Sequence, residues 1–132
     1  MEMEIRFAGG KRVCSTYKGF TVETDQPPDE GGDGSAPEPY DLFLSSIGTC
    51  TGVYIASFCE SRGIPTEHIK MSLRFEQNEA THLVEEVHTT IQLLPEFPEK
   101  YRRTVERVAA MCTVKRSLTS PPRILVEARY KS

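Results

Sequence analysis

The stretch PYDLFLSSIGTCTGVYIASFCESRGI, residues 39–64, decides the fold. It has no charge between Asp41 and Glu60 and is too long for an ordinary strand, so it reads as a helix over roughly residues 40–62. Gly63 and Pro65 end it. Ser45, Ser46, Gly48, Thr49, Thr51, Gly52 and Ser57 are scattered along it with little polar face, the composition of a buried helix. The same residues keep it short of a clean membrane span. A chain of 132 residues has room for one such helix, and something must wrap it.

The flanks supply the wrapping. Met3, Ile5 and Phe7 alternate with Glu2, Glu4 and Arg6, the mark of a strand with one buried face over 2–7. Residues 12–17 and 20–25 read as a hairpin with Val13, Ser15 and Tyr17 on one face and Lys18-Gly19 at the turn. Downstream, Ile69, Met71, Leu73 and Phe75 alternate with Lys70, Ser72, Arg74 and Glu76. Residues 83–94 alternate in the same way, and 77–82 join the two runs. PEFPEKYRRTVERVAAM is an amphipathic helix with Pro98 and Glu99 in its first turn and Tyr101, Val105, Val108 and Ala109 on its inner face. Residues 112–119 form a second short helix, halted by Pro121-Pro122. A last strand is expected at 123–130, with Ile124, Val126, Ala128 and Tyr130 on one face. The order βββ-α-ββ-α(α)-β, with hairpin-linked strands, places the chain in the α+β class with antiparallel sheets, as a single domain over 1–132. DQPPDEGGDGSAPEP, residues 25–39, is an acidic, Pro- and Gly-rich loop, expected to be mobile and long enough to suggest a functional loop or lid.

Composition narrows the function. The apolar fraction of 38% and charged fraction of 27% are those of a soluble globular protein, and the net charge of −3 gives no electrostatic reason to expect nucleic acid or an anionic membrane as partner. The beginning MEMEIRF lacks the basic and apolar regions of a signal peptide, so a cytoplasmic location is expected. In that reducing compartment Cys14, Cys50, Cys59 and Cys112 do not suit a structural disulfide framework. One small domain cannot easily cover both the long helix and several one-faced strands. A homodimer sharing one core is the simple remedy.

The thiols carry the chemistry worth weighing. Cys50 and Cys59 are nine residues apart, so at about 100° per residue they lie on opposite helix faces. Cys59 reads as packing; Cys50, within IGTCTG, has small neighbours that leave space around its sulfur, though packing is also the ordinary role for a cysteine in such a run. Cys112 sits at a break between helices with Lys115 and Arg116 one turn on. It reads equally as a small apolar cap or as a thiol whose pKa is lowered. Cys14 is an ordinary strand residue. The cysteines and His68, His82 and His88 show no metal-binding spacing, so no metal and no cofactor is expected. No GxSxG or phosphate-binding loop is present.

Two segments together carry a resemblance. APEPYDLFLSSIGTCTGVYI, a Pro before an apolar helix with an internal Cys, resembles the central-helix motif of the OsmC/Ohr family. VAAMCTVKRSL is similar to that family's second cysteine motif, and the separation and element order agree over essentially the whole chain. The resemblance implies an intertwined homodimer, with sheets wrapped around two central helices and sites built from both chains. It also implies a thiol-dependent peroxidase acting on organic hydroperoxides, with Cys50 as the peroxidatic thiol, Cys112 as the resolving thiol and an external dithiol as reductant. Such a pair must come within disulfide range, with Cα atoms about 4.4–6.8 Å apart. Hydroperoxide-resistance members carry a Glu directly after the Pro, paired with an activating Arg from the N-terminal hairpin. Here that position is Tyr40, the nearest acid is Asp41, and the candidate Arg is Arg12. Thr113 stands where members often have Pro. Tyr40 and Asp41 are therefore candidate binding residues, and Asp41 reads equally as a helix cap. The competing function on the same scaffold is a non-catalytic dimer that binds a small apolar ligand or senses redox state.

Overall fold

Alternation builds two separate antiparallel sheets. The computed structural model describes residues 1–131, and the chain divides into two compact units, 1–46 and 47 onward. In the first unit β1 (Glu4–Phe7), β2 (Val13–Tyr17) and β3 (Phe20–Thr24) form one sheet in the order β1-β2-β3. Lys18 and Gly19, both at positive φ, make the tight turn that joins β2 to β3. The register places Ile5 opposite Ser15 and Ser15 opposite Val22, with Phe7 opposite Val13 and Tyr17 opposite Phe20, so one face is largely apolar. That face is open: Phe7 is 84% and Phe20 74% exposed. The other face carries Arg6, Cys14 and Glu23 in a cross-strand row, with Cys14 buried.

The loop after β3, expected to be mobile, carries its own hydrogen-bonded framework. Asp25 is buried, and its carboxylate accepts from the amides of Gln26, Asp33 and Ser35 and from the Ser35 hydroxyl. Gly32 passes so close to Gln26 that a Cβ there would collide with the Gln26 carbonyl oxygen. These bonds, the Ser35 hydroxyl foremost, hold the Asp25 pKa at about 2.

The long apolar stretch is helix α1, Pro39–Glu60. Pro39 occupies its first position, and Asp41 Oδ2 accepts from the Glu38 amide at 3.2 Å, closing the first turn as one half of a capping box. Gly63, at φ 65, ends the turn that follows, and the Ile64 amide returns to the Cys59 carbonyl. By length and composition α1 could cross a membrane. Core helices meet the same test, and Ile47, Thr51, Ile55, Phe58 and Cys59 are buried.

In the second unit β4 (Lys70–Gln77) pairs with β5 (Val84–Gln92), and α2 (Arg102–Ala109) and α3 (Thr113–Thr119) follow. Ile55, Phe58, Cys59, Val105 and Ala109 form the core, joined by Met71, Ile91 and Tyr101. Phe58 meets Tyr101 edge-to-face at 5.6 Å, and the Arg62 guanidinium covers the Phe58 ring at 3.9 Å. Gly48 lets α1 approach β4: a Cβ there would meet Leu73 Cδ1 at 3.0 Å.

The strand expected at 123–130 is not formed. A strand needs a neighbour's edge for its backbone groups, and 123–130 pairs with none of the described strands, although β1, β3, β4 and β5 each keep one edge unpaired. Ile124 is 81% and Val126 92% exposed.

The Asp25 cradle generates a prediction. A carboxylate whose folded pKa lies below its unfolded value of 3.8 contributes stability that is complete above that value and lost as pH falls through about 2. Amide exchange of residues 26–35 should therefore accelerate across that window. Asp25→Ala should show fast exchange there already at neutral pH; unchanged protection in the variant would contradict the role given to this residue.

Candidate functional site

Helix α1 and the start of α3 bring two of the four thiols together. Cys112 is the N-cap of α3, and its sulfur accepts from the Lys115 amide at 3.5 Å. From α1, the Thr51 hydroxyl reaches the same sulfur at 3.8 Å while also donating to the Ile47 carbonyl at 2.7 Å. Cys50, the neighbour of Thr51 on α1, is close enough to contribute to lowering the Cys112 pKa. The two cysteines, 62 positions apart in the chain, thus form one centre. Cys112 and Thr51 are fully buried, whereas Cys50 is half-buried. A small molecule arriving from solvent meets Cys50 first.

Electrostatics act unequally on the thiols. Burial pushes the Cys112 thiol up, but the Lys115 amide, the Thr51 hydroxyl, the Cys50 thiol and the Lys115 charge together hold it below the ordinary value. All four cysteines are free, so both sulfurs of this centre are in the reduced form. Burial pushes the Cys59 thiol the other way, only partly offset by Arg62, and Cys59 sits in the apolar core.

A second set of contacts joins the same two helices one turn further along α1. Tyr54 Oη lies 3.0 Å from Thr113 Oγ1, and Arg116 Nη2 donates to Tyr54 Oη at 3.1 Å and to Thr113 Oγ1 at 3.2 Å. Sequence reasoning noted Arg116 only as a neighbour of Cys112 and passed over Tyr54. The usable signal was the four-residue spacing from Cys50, which puts Tyr54 on the same helix face.

The remaining candidates make local contacts in their own segments. Arg12 donates through Nε and Nη2 to the carbonyls of Gly9 and Ala8 in its own turn. Asp41 caps α1, and Tyr40 stacks on Phe43 with centroids 5.7 Å apart. Among the described residues Arg12 and Asp41 form no ion pair with each other. On the β4–β5 hairpin, Glu76, Glu86 and His88 place ligand-type atoms within 4.8 Å of one another. They are exposed, and Arg74 already meets Glu76 at 2.9 Å, so they read as a cross-strand ion cluster. An apolar cleft of about 310 Å³ lined by Ile64, Pro65, His68, Ile69, Leu94 and Phe97 includes neither Cys50 nor Cys112.

The OsmC-like protein family model matches residues 32–127, which contain both cysteines of the centre. The chain belongs to the OsmC-like family. Solved structures repeat the OsmC-like fold. A putative osmotic stress induced and detoxification response protein from Psychrobacter arcticus is 23% identical, with 87% of this chain and 85% of that chain covered and a TM-score of 0.75. A hypothetical protein from Aquifex aeolicus is 19% identical, with 91% and 87% covered and a TM-score of 0.68. A structure from Legionella pneumophila, described as an organic hydroperoxide resistance protein OsmC, predicted redox protein and regulator of sulfide bond formation, is 16% identical, with 89% and 87% covered and a TM-score of 0.57. At these identities the likeness is one of fold. No curated protein matches the sequence.

The OsmC-like centre predicts a measurable dependence on Thr51. Thr51→Val keeps the shape of this buried residue and removes the hydroxyl from the Cys112 sulfur. The midpoint of thiolate ultraviolet absorbance against pH, read in a Cys14→Ser/Cys59→Ser background, should move upward. A midpoint that stays in place or falls would contradict the role of this hydrogen bond.

Proposed function

We propose that this OsmC-like protein is a thiol-dependent peroxidase that reduces organic hydroperoxides through Cys50 and Cys112. The observation that carries this reading is the meeting of α1 and Cys112 at the Thr51–Cys112 contact, which sets half-buried Cys50 beside a fully buried second thiol. Loss of the Cys50 proton to solvent leaves a Cys50 thiolate. It attacks the terminal peroxide oxygen: an S–O bond forms, the O–O bond breaks, and the alkoxide leaves and is protonated to the alcohol. Cys50 is oxidised to sulfenic acid as the peroxide is reduced. Cys112 then attacks the Cys50 sulfur; the S–S bond forms, the S–O bond breaks, and hydroxide leaves as water after taking up a proton. An external dithiol restores both thiols by exchange and is itself oxidised to a disulfide. Isoleucine, leucine and valine side chains along α1 suit an organic rather than an inorganic peroxide.

The protein acts as a homodimer in this account. The exposed apolar face of the first sheet and the unpaired apolar segment at 123–130 support it, since both leave surface that a second copy would cover. Phe7→Asp with Phe20→Asp should shift the sedimentation mass from dimer to monomer; a wild-type monomer would contradict the assembly.

One observation favours a second reading, a dimer that binds a small ligand or senses redox state without turnover. Arg12 is engaged by its own turn and Asp41 by its own helix, so the activating acid–arginine pair implied by the family resemblance is not assembled. Turnover separates the two. With cumene hydroperoxide and a dithiol, the wild type should consume peroxide catalytically, and Cys50→Ser should lose at least about a hundredfold in kcat/KM. Equal rates for the two proteins would sink the peroxidase.

A further inference from the structure

The Arg116 side chain is the one cation near the thiol centre whose role the redox cycle leaves unexplained. The cation that acts on Cys112 is Lys115. Lys115 is further occupied by the Ala109 carbonyl, which accepts from its Nζ at 2.9 Å. Arg116 instead spends two donors of one nitrogen, Nη2, on Tyr54 and Thr113. A guanidinium has five donors, so those on Nε and Nη1 remain without a partner among the described residues, and no carboxylate there forms an ion pair with it. Two hydroxyls hold its fork in one place, which reduces the entropy lost when a further ligand binds.

We propose that Arg116, held by Tyr54 and Thr113, is a specificity residue of the Cys50–Cys112 centre that selects hydroperoxides bearing a carboxylate about one helical turn from the peroxide group. This inference rests on the peroxidase reading above. Cys50 and Tyr54 share a face of α1 and are separated by about 6 Å along its axis, so a substrate with its peroxide at Cys50 extends along that face towards Arg116. A single guanidinium carries one positive charge and presents paired donors, which suits the single charge and two oxygens of a carboxylate. The site is exposed at Thr113 and Arg116 and half-buried at Tyr54, open to a ligand from solvent. Exposed Val53 and Ser57 border that face of α1, and Ser57 is small enough to leave room for the alkyl chain between the two ends.

The test compares ω-hydroperoxyhexanoate with its methyl ester as substrates of the full-length reduced protein, with a dithiol reductant. The acid should be preferred in kcat/KM by about tenfold, the scale of one charge-assisted contact. Arg116→Gln should bring the acid-to-ester ratio near one, Arg116→Lys should keep part of the preference, and Tyr54→Phe should reduce it. A role confined to folding would lower both substrates together and leave the ratio intact. That result, or a wild-type ratio near one, overturns the proposal. If the wild type turns over neither substrate, the peroxidase reading fails by itself, and binding decides the anion site. The alcohol product ω-hydroxyhexanoate should then raise the thermal midpoint of the wild type but not of Arg116→Gln, and its methyl ester should raise neither. Equal responses to acid and ester, or no response to the acid, overturn the proposal.

Discussion

The contact between a buried sulfur on one helix and a small polar face on another is the constraint on which the rest of this structure depends. Cys112 has no exposed surface, and an unpartnered thiolate there would be costly. The Thr51 hydroxyl, the Cys50 thiol and the Lys115 amide offset that cost. They can do so because α1 presents the small residues Cys50 and Thr51 to Cys112. A larger side chain at position 51 would separate the two elements. The apolar length of α1 and its small residues therefore serve different ends: the first secures burial, while Gly48 lets β4 approach and Thr51 lets the Cys112 sulfur approach.

Packing in the second unit supports that contact from the opposite side of the helix. Cys59, half a helical circumference from Cys50, sits in the apolar core with Phe58, Val105 and Ala109. Two chemically identical thiols on one helix therefore have opposite environments. One has its pKa raised by burial among hydrocarbon; the other is half-buried beside the Cys112 sulfur. The first unit holds a different kind of constraint: an acidic, glycine-rich loop closed around Asp25 beside a sheet whose apolar face lacks cover in a single chain.

Much of this was legible in the sequence, and the gaps have physical causes. The helix 39–60 follows from its length and lack of charge, and the five strands of the two sheets follow from alternation, which reports which face of a strand is apolar. Alternation does not report which edge a strand will join, and 123–130 failed on that point: the pattern Ile124, Val126, Ala128, Tyr130 is present, but the segment pairs with no described strand. Asp25 looked like any loop acid, because its cradle comes from amides eight and ten positions away. The pairing of Cys50 with Cys112 entered through resemblance to a family, since helical geometry alone could only separate Cys50 from Cys59. The Tyr54–Arg116 contact was hidden because it joins two helices whose approach the sequence does not specify.

The central claim is that Cys50 and Cys112 are one redox pair, and the most direct measurement is thiol mapping by mass spectrometry after one equivalent of an alkyl hydroperoxide is added to the reduced protein without reductant. The account predicts a single intrachain disulfide between Cys50 and Cys112, with Cys14 and Cys59 recovered as free thiols. Oxidation that begins at Cys59 or Cys14, or a Cys50 that remains reduced while peroxide is consumed, would contradict it.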